Sequence, residues 1–282
     1  MLKTRKPASW ITYILSRVML LIYSLTILYP IFWVVSMSLK PNDQIFQDIW
    51  GLPQTWAFDN YVRAWEASQV GRFFMNSVII TTITILAILI TCIPLSYTLG
   101  RFKFRGRGII KAIIISGLLL PSMTGLVSQY IMLLYVGLAD TYTGLTLIYL
   151  AVSIPFTVFM LSNFFAAIPV EFEEAAKLEG CGYWRTLWFI MTPMARNGIL
   201  MVTVLNVLSV WNEYTIALTV ISTQARRTIA IGVAAILRPQ MNYTDWGALF
   251  AAMVILMTMS FLIYALFQRK IMENVTLGGI KG

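Results

Sequence analysis

The 282-residue chain is 59% hydrophobic and only 12% charged, carries a net charge of +9 and has no histidine, and its mean hydropathy is +0.76. That balance excludes a soluble globular domain, whose surface needs far more charge. Two cysteines without histidine, Cys92 in an apolar run and Cys181 in a charged loop, exclude a disulfide framework and a Cys/His metal site, and the basic excess is read against a membrane rather than nucleic acid.

The expected fold is an all-α integral membrane protein, a single domain over 1–282 with six transmembrane helices. Uncharged runs place spans at about 15–39, 73–100, 112–137, 143–168 and 246–268, each able to cross about 30 Å of hydrocarbon. A sixth, 193–212, ends where Glu213 sits at an interface and not at the bilayer centre. The first run is too long for a cleaved signal peptide and lacks a small-residue cleavage site. Six spans put both termini on one side. Of the 21 Lys and Arg, 15 fall in 1–17, 101–111, 171–196 and 269–282, against 6 in the opposite segments, so the positive-inside rule makes both termini cytoplasmic.

Along the chain, Pro30, Pro94, Pro121 and Pro155 interrupt the spans and predict bent helices. Between the first two spans, Trp50, Trp56, Phe58, Tyr61 and Trp65 read as an interfacial belt with a short amphipathic helix. Arg101, Lys103, Arg105, Arg107 and Lys111 read as an anchor for the next loop at anionic headgroups. Gln129 and Asn163 are polar groups within the third and fourth spans. On the fifth, Thr203, Asn206, Ser209 and Glu213 share one helical face, which can line a solute pathway or equally supply hydrogen bonds between helices. Residues 228–237 form an uncharged run too short to span, and so a lid or folded loop on the outer side.

The stretch 171–193, EFEEAAKLEGCGYWRTLWFIMTP, is a folded element between two spans. Strong helix formers with acids in the first turn predict a short helix that Gly180 and Gly182 end. Trp184, Leu187, Trp188 and Met191 then predict a second helix along the membrane surface before Pro193. Ala175 and Ala176, flanked by carboxylates, let another protein surface approach. An acidic helix would be repelled by anionic lipid, which favours docking over resting on headgroups.

The run Glu174-Ala175-Ala176, then Gly180, Ile190 and Pro193 at fixed spacing, resembles the EAA loop of permease subunits in binding-protein-dependent ABC importers. Thr192 stands where that family usually has leucine. The tail Val275 to Gly282, with Gly278, Gly279, Lys281 and Gly282, is similar to the glycine-rich C-terminus of the maltose-type (MalG-like) carbohydrate subfamily, as are the stretches 29–41 and Trp211-Asn212-Glu213.

The resemblance implies a type I importer permease in a bacterial-type inner membrane, forming half of a carbohydrate pathway. Its implied partners are a second permease subunit as a heterodimer, two copies of a cytoplasmic ATPase, an outer solute-binding protein and membrane lipid, with no nucleic acid. No G-x-x-x-x-G-K-[ST] run occurs in the chain, so it should bind no cofactor, and ATP and Mg belong to the partner ATPase. Glu174, Ala175, Ala176 and Gly180 would form the coupling helix in the loop 171–192, and in the tail 269–282 Gly278, Gly279, Lys281 and Gly282 would reach between the ATPase subunits. The alternatives are an ABC permease for polyamines or amino acids, which explains the tail less well, and a self-sufficient secondary transporter, for which mid-membrane acids would be expected.

Overall fold

The computed structural model describes residues 10–66, 69–120, 124–236 and 245–279, the side chains of Ile11, Phe267 and 269–279 excepted. Among the described residues the regular elements are all helical: α1 (Trp10–Ser38), α2 (Asn42–Gln47), α3 (Asp59–Trp65), α4 (Val70–Arg101), α5 (Arg107–Ser116), α6 (Leu126–Tyr135), α7 (Tyr142–Ala166), α8 (Glu171–Leu178), α9 (Tyr183–Thr186), α10 (Thr192–Met194), α11 (Arg196–Trp211), α12 (Thr215–Val220), α13 (Ile229–Ile236) and α14 (Trp246–Gly279). A π turn, Leu187–Met191, joins α9 to α10. α1, α4, α7 and α14 are long and apolar enough to cross a membrane, and residues 183–194 with α11 make a fifth crossing if that pair, bent by 79°, is one span.

The expected third span departs from a continuous helix. α5 begins at Arg107, so that Lys111 lies within it, and gives way to a 3-10 turn at Gly117–Leu119 before α6 starts after Gly125. Gly117 and Gly125, with Pro121 between them in sequence, remove helix propensity and a backbone donor within nine positions. Pro121 itself lies outside the described residues. Pro30, Pro94 and Pro155, by contrast, sit inside unbroken helices.

The chain divides into two compact units, 1–69 with 236–255, and 70–235 with 256–282. In the first, α1 is exposed from Thr12 to Pro30 and none of its most apolar window is buried; a helix apolar all round and uncovered requires a non-aqueous surround. Its last turns do pack, Met37 with Ile45 and Phe250, backed by Trp33, Val34, Trp246 and Met253. Buried Asn60 donates to the carbonyls of Ser38 and Lys40 at 2.8 and 2.9 Å, satisfying groups that the helix end leaves free. Trp50, Trp56, Phe58 and Trp65 remain exposed around α3, the short helix expected in the aromatic segment.

In the second unit α4 lies along α7, and α11 packs on both. A Cβ on Gly100 would meet the Ser162 carbonyl at 2.7 Å, so the two long helices approach backbone to backbone at the end where α4 finishes. Gly198 likewise leaves room for the Phe164 ring against α11. The run 228–237 folds largely as α13, with Ile229, Ile231 and Val233 buried. It is stitched to the start of α4 by Asn76, which donates to the carbonyls of Ala225 and Arg227, and by Ser77 Oγ, which accepts from Ile229 N–H at 2.8 Å.

Candidate functional site

α8 has Glu171, Glu173 and Glu174 in its first turn and Lys177 in its last, charges that complement the helix dipole. Eight residues are too few to hold a helix in isolation, so its stability must come from packing. The largest anchor is Arg101, the final residue of α4. Its Nε and Nη2 donate to Glu173 Oε2 at 3.1 and 2.9 Å, and its Nη1 donates to the Ile168 carbonyl at 2.8 Å. Both side chains of the ion pair are only 10% exposed, so the pair is weakly screened.

The C-terminal end of α8 explains Gly180. The N–H of Gly180 donates to the Lys177 carbonyl at 3.0 Å and that of Cys181 to the Ala176 carbonyl at 2.9 Å, the paired bonds of a Schellman motif. That closure puts Gly180 at φ +74°, and nothing lies within 4 Å of where its Cβ would be. The demand for glycine is therefore conformational rather than spatial.

Beyond the turn, Tyr183 is pinned to α4. Its hydroxyl lies 2.9 Å from Thr98 Oγ1, and its ring sits 5.5 Å from Tyr97 and 5.8 Å from Phe102. The apolar positions expected to form one stripe divide between two faces. Leu187 and Met191 are fully buried with Ile93, Tyr97, Leu161, Phe165, Ala195 and Val202, whereas Trp184 and Trp188 are 60% and 36% exposed. The π turn at 187–191 leads directly into Pro193, which cannot donate to the carbonyl four residues back and clashes with it in a regular helix. Thr192 Oγ1 is buried without a hydrogen-bond partner among the described residues, a cost that a leucine there would not carry.

Of the motif residues, Glu174, Ala175, Gly180 and Pro193 are exposed and Ile190 is half-buried. Ala176 is turned inward at 4% exposure, so of the two alanines expected to receive another surface only Ala175 is free to do so. The basic cluster also divides. Arg101 is committed to Glu173, and Arg107 donates to the carbonyls of Leu99 and Gly100 at 2.9 and 3.2 Å, capping α4. Lys103 and Arg105 remain exposed and can reach headgroups.

The polar positions of the spans are not brought together as one lining. Asn206 is 4% exposed and donates to Thr157 Oγ1 at 3.0 Å, a bond between α11 and α7. Thr203 bonds its own helix through the Ile199 carbonyl at 2.7 Å. Gln129 Oε1 is buried without a hydrogen-bond partner among the described residues, while Asn163 and Ser209 are exposed. Glu213 accepts from the Tyr149 hydroxyl at 2.8 Å and from the N–H groups of Ile216 and Ala217 at 2.7 and 2.9 Å, capping α12. Asn212, unremarked in the sequence as a pathway residue, is exposed next to Ser260, whose hydroxyl donates to its Oδ1 at 3.3 Å. Its three-residue offset from Ser209 was the available signal.

At the opposite end of α7 from α8, Asp140 adopts a positive φ of 55°. It accepts from the N–H groups of Ser222 and Thr223 at 3.0 Å each and pairs with Arg226 at 3.1 Å. Partial burial raises its pKa, but the Thr223 hydroxyl, the two N–H groups and Arg226 outweigh this and hold the carboxyl below the usual carboxylate range. Asp245, in the first unit, is likewise lowered, burial being outweighed by Arg63, the Ala248 N–H and Asn42. Gly278 and Gly279 are the last residues of α14, and Lys281 and Gly282 lie outside the described residues.

Residues 92–273 match the family described as "Binding-protein-dependent transport system inner membrane component". The chain is 34% identical to the diacetylchitobiose uptake system permease protein NgcG of Streptomyces coelicolor, over 94% of this chain and 87% of that one. It is 28% identical to the trehalose transport system permease protein SugB of Mycobacterium tuberculosis, over 90% of this chain and 93% of that one. A chain of a bacterial ABC transporter involved in the import of the acidic polysaccharide alginate superposes with a TM-score of 0.84 at 23% identity, covering 94% of this chain and 98% of that chain, a likeness of fold.

Proposed function

The chain belongs to the family of binding-protein-dependent transport system inner membrane components, and on that premise we propose that it is one permease subunit of an ATP-driven importer of a carbohydrate, an oligosaccharide or similar solute. It is a transport component and not an enzyme. The carbohydrate reading is supported by the uptake systems named for the relatives, one for diacetylchitobiose and one for trehalose. A second permease completes the pathway, two ATPase copies dock on the cytoplasmic side where both termini lie, and a solute-binding protein delivers the sugar outside. ATP and Mg are held by the ATPase, and this chain binds no cofactor.

The observation that carries the reading is the division of α8 into two faces. Glu173 and Ala176 are buried toward the span helices, and Glu174, Ala175 and Leu178 are exposed, Leu178 at 90%. A helix so anchored on one side and open on the other can receive a second protein surface, which supports its role as the docking element. Glu174 pairs with an ATPase arginine, and closure of the ATPase dimer shifts the spans from inward-open to outward-open. The tail residues Gly278, Gly279, Lys281 and Gly282 reach the ATPase pair. Sugar contact by this subunit falls to exposed polar groups such as Asn163, Ser209 and Asn212 rather than to buried Asn206.

The test is uptake into proteoliposomes that hold this chain, the second permease and the ATPase, with binding protein and labelled oligosaccharide. Uptake that requires both ATP and binding protein is expected. Uptake by this chain alone without ATP would instead make it a secondary carrier.

A further inference from the structure

One guanidinium, that of Arg101, joins three pieces of the chain: the end of α4 that carries it, the Ile168 carbonyl just beyond α7, and Glu173 on α8. Without it, α8 itself is tied to α4 through the short connections at its ends, one of which carries the Tyr183–Thr98 bond beyond the Gly180 turn. A planar fork held at three donor positions cannot slide without breaking. The backbone that carries the fork is held as well, since Phe102, the residue after Arg101, packs edge-on against Tyr97 at 5.3 Å. The partner carboxylate is buried, whereas the adjacent Glu174, about 100° further round α8, is exposed, so Arg101 is not itself a docking group.

We propose that Arg101 is the positioning residue that makes α8 and α4 move as one body, so that it sets how much solute moves per ATP hydrolysed rather than whether the ATPase binds. This rests on the reading of α8 as the docking helix. A displacement imposed on α8 passes through the buried ion pair to α4 directly. With the pair removed, the ATPase can close on α8 while α4 lags, and hydrolysis runs without productive opening.

The experiment uses the complete complex in proteoliposomes with Arg101→Gln, Arg101→Lys, Glu173→Gln and the exchange Arg101→Glu/Glu173→Arg. ATPase stoichiometry, ATP hydrolysis and solute transported per ATP are read for each. Arg101→Gln and Glu173→Gln should keep the ATPase bound and hydrolysing while solute per ATP falls about tenfold, within the usual span of coupling free energies. Arg101→Lys, which keeps the charge but loses the fork, should fall between, and the exchange should recover part of the ratio. A merely structural role would lower hydrolysis and transport in parallel and leave the ratio at the wild-type value; that result, in Arg101→Lys if the glutamine variant fails to assemble, overturns the proposal. Glu174→Lys run alongside separates the two claims: ATPase retained by that variant refutes the docking reading itself, whatever the Arg101 variants do.

Discussion

The Tyr183 hydroxyl lies 2.9 Å from Thr98 Oγ1, one turn before Arg101 on α4, so the segment after α8 is fastened to the same end of the same helix that holds α8. Thr98 Oγ1 also donates to the Pro94 carbonyl at 2.9 Å, and keeps that bond if the tyrosine hydroxyl is lost. Tyr183→Phe should therefore cost only about 1 kcal/mol of thermal stability, the net worth of one such bond. Tyr183→Ala also empties a ring cluster and should cost about 3–5 kcal/mol. Unfolding midpoints in detergent check both, and equal losses in the two variants would contradict the packing described.

Gly180→Ala should destabilise the close of α8 by roughly 1–2 kcal/mol, because alanine must take the left-handed conformation that glycine adopts freely. Space is not the obstacle, since no atom lies near the added Cβ. Faster hydrogen exchange at the Gly180 and Cys181 amides is the expected sign. Protection unchanged from wild type would mean that the turn is closed by something else.

Asn206→Ala should loosen α11 from α7 by about 0.6–1.7 kcal/mol, the range for hydrogen bonds between membrane helices, and leave solute selectivity unchanged. Its amide is spent on Thr157 and on the Val202 carbonyl at 2.9 Å. Competition by related oligosaccharides against labelled uptake distinguishes the roles. A changed selectivity order would place Asn206 on the pathway after all.

Asp140 makes the loop at 222–226 sensitive to acid. Its folded carboxyl titrates below the unfolded value of about 3.9, so the clamp contributes fully above that range and is lost as pH falls through the lowered folded value. Protease cleavage in 222–226 should rise on acidification in the wild type. In Asp140→Asn it should be raised already at neutral pH and vary little with acid.

The long spans were legible because a run without charge has one cheap environment, and α1, α4, α7 and α14 each fall on one of the five longest such runs. The third span was not, because hydropathy does not register that Gly117 and Gly125 break a helix whose composition is apolar throughout. The helix α8 and its end were legible through local signals, acids in a first turn and a glycine at a helix end. Its inward face was not. The partner of Glu173 lies 72 residues away at the end of α4, and three neighbouring glutamates offer no local reason why one of them should bury. The same limit applies to Ala176, whose size suits either face of a helix.

The most direct test of α8 as the docking element is recovery of this chain from its native membrane in mild detergent, with mass spectrometry of the co-purifying chains, for the wild type and for Glu174→Lys. The wild type should bring down a second permease and an ATPase with a phosphate-binding loop. The charge-reversed chain should keep the permease and lose the ATPase. ATPase recovered equally with both, or with neither, would contradict α8 as the coupling element.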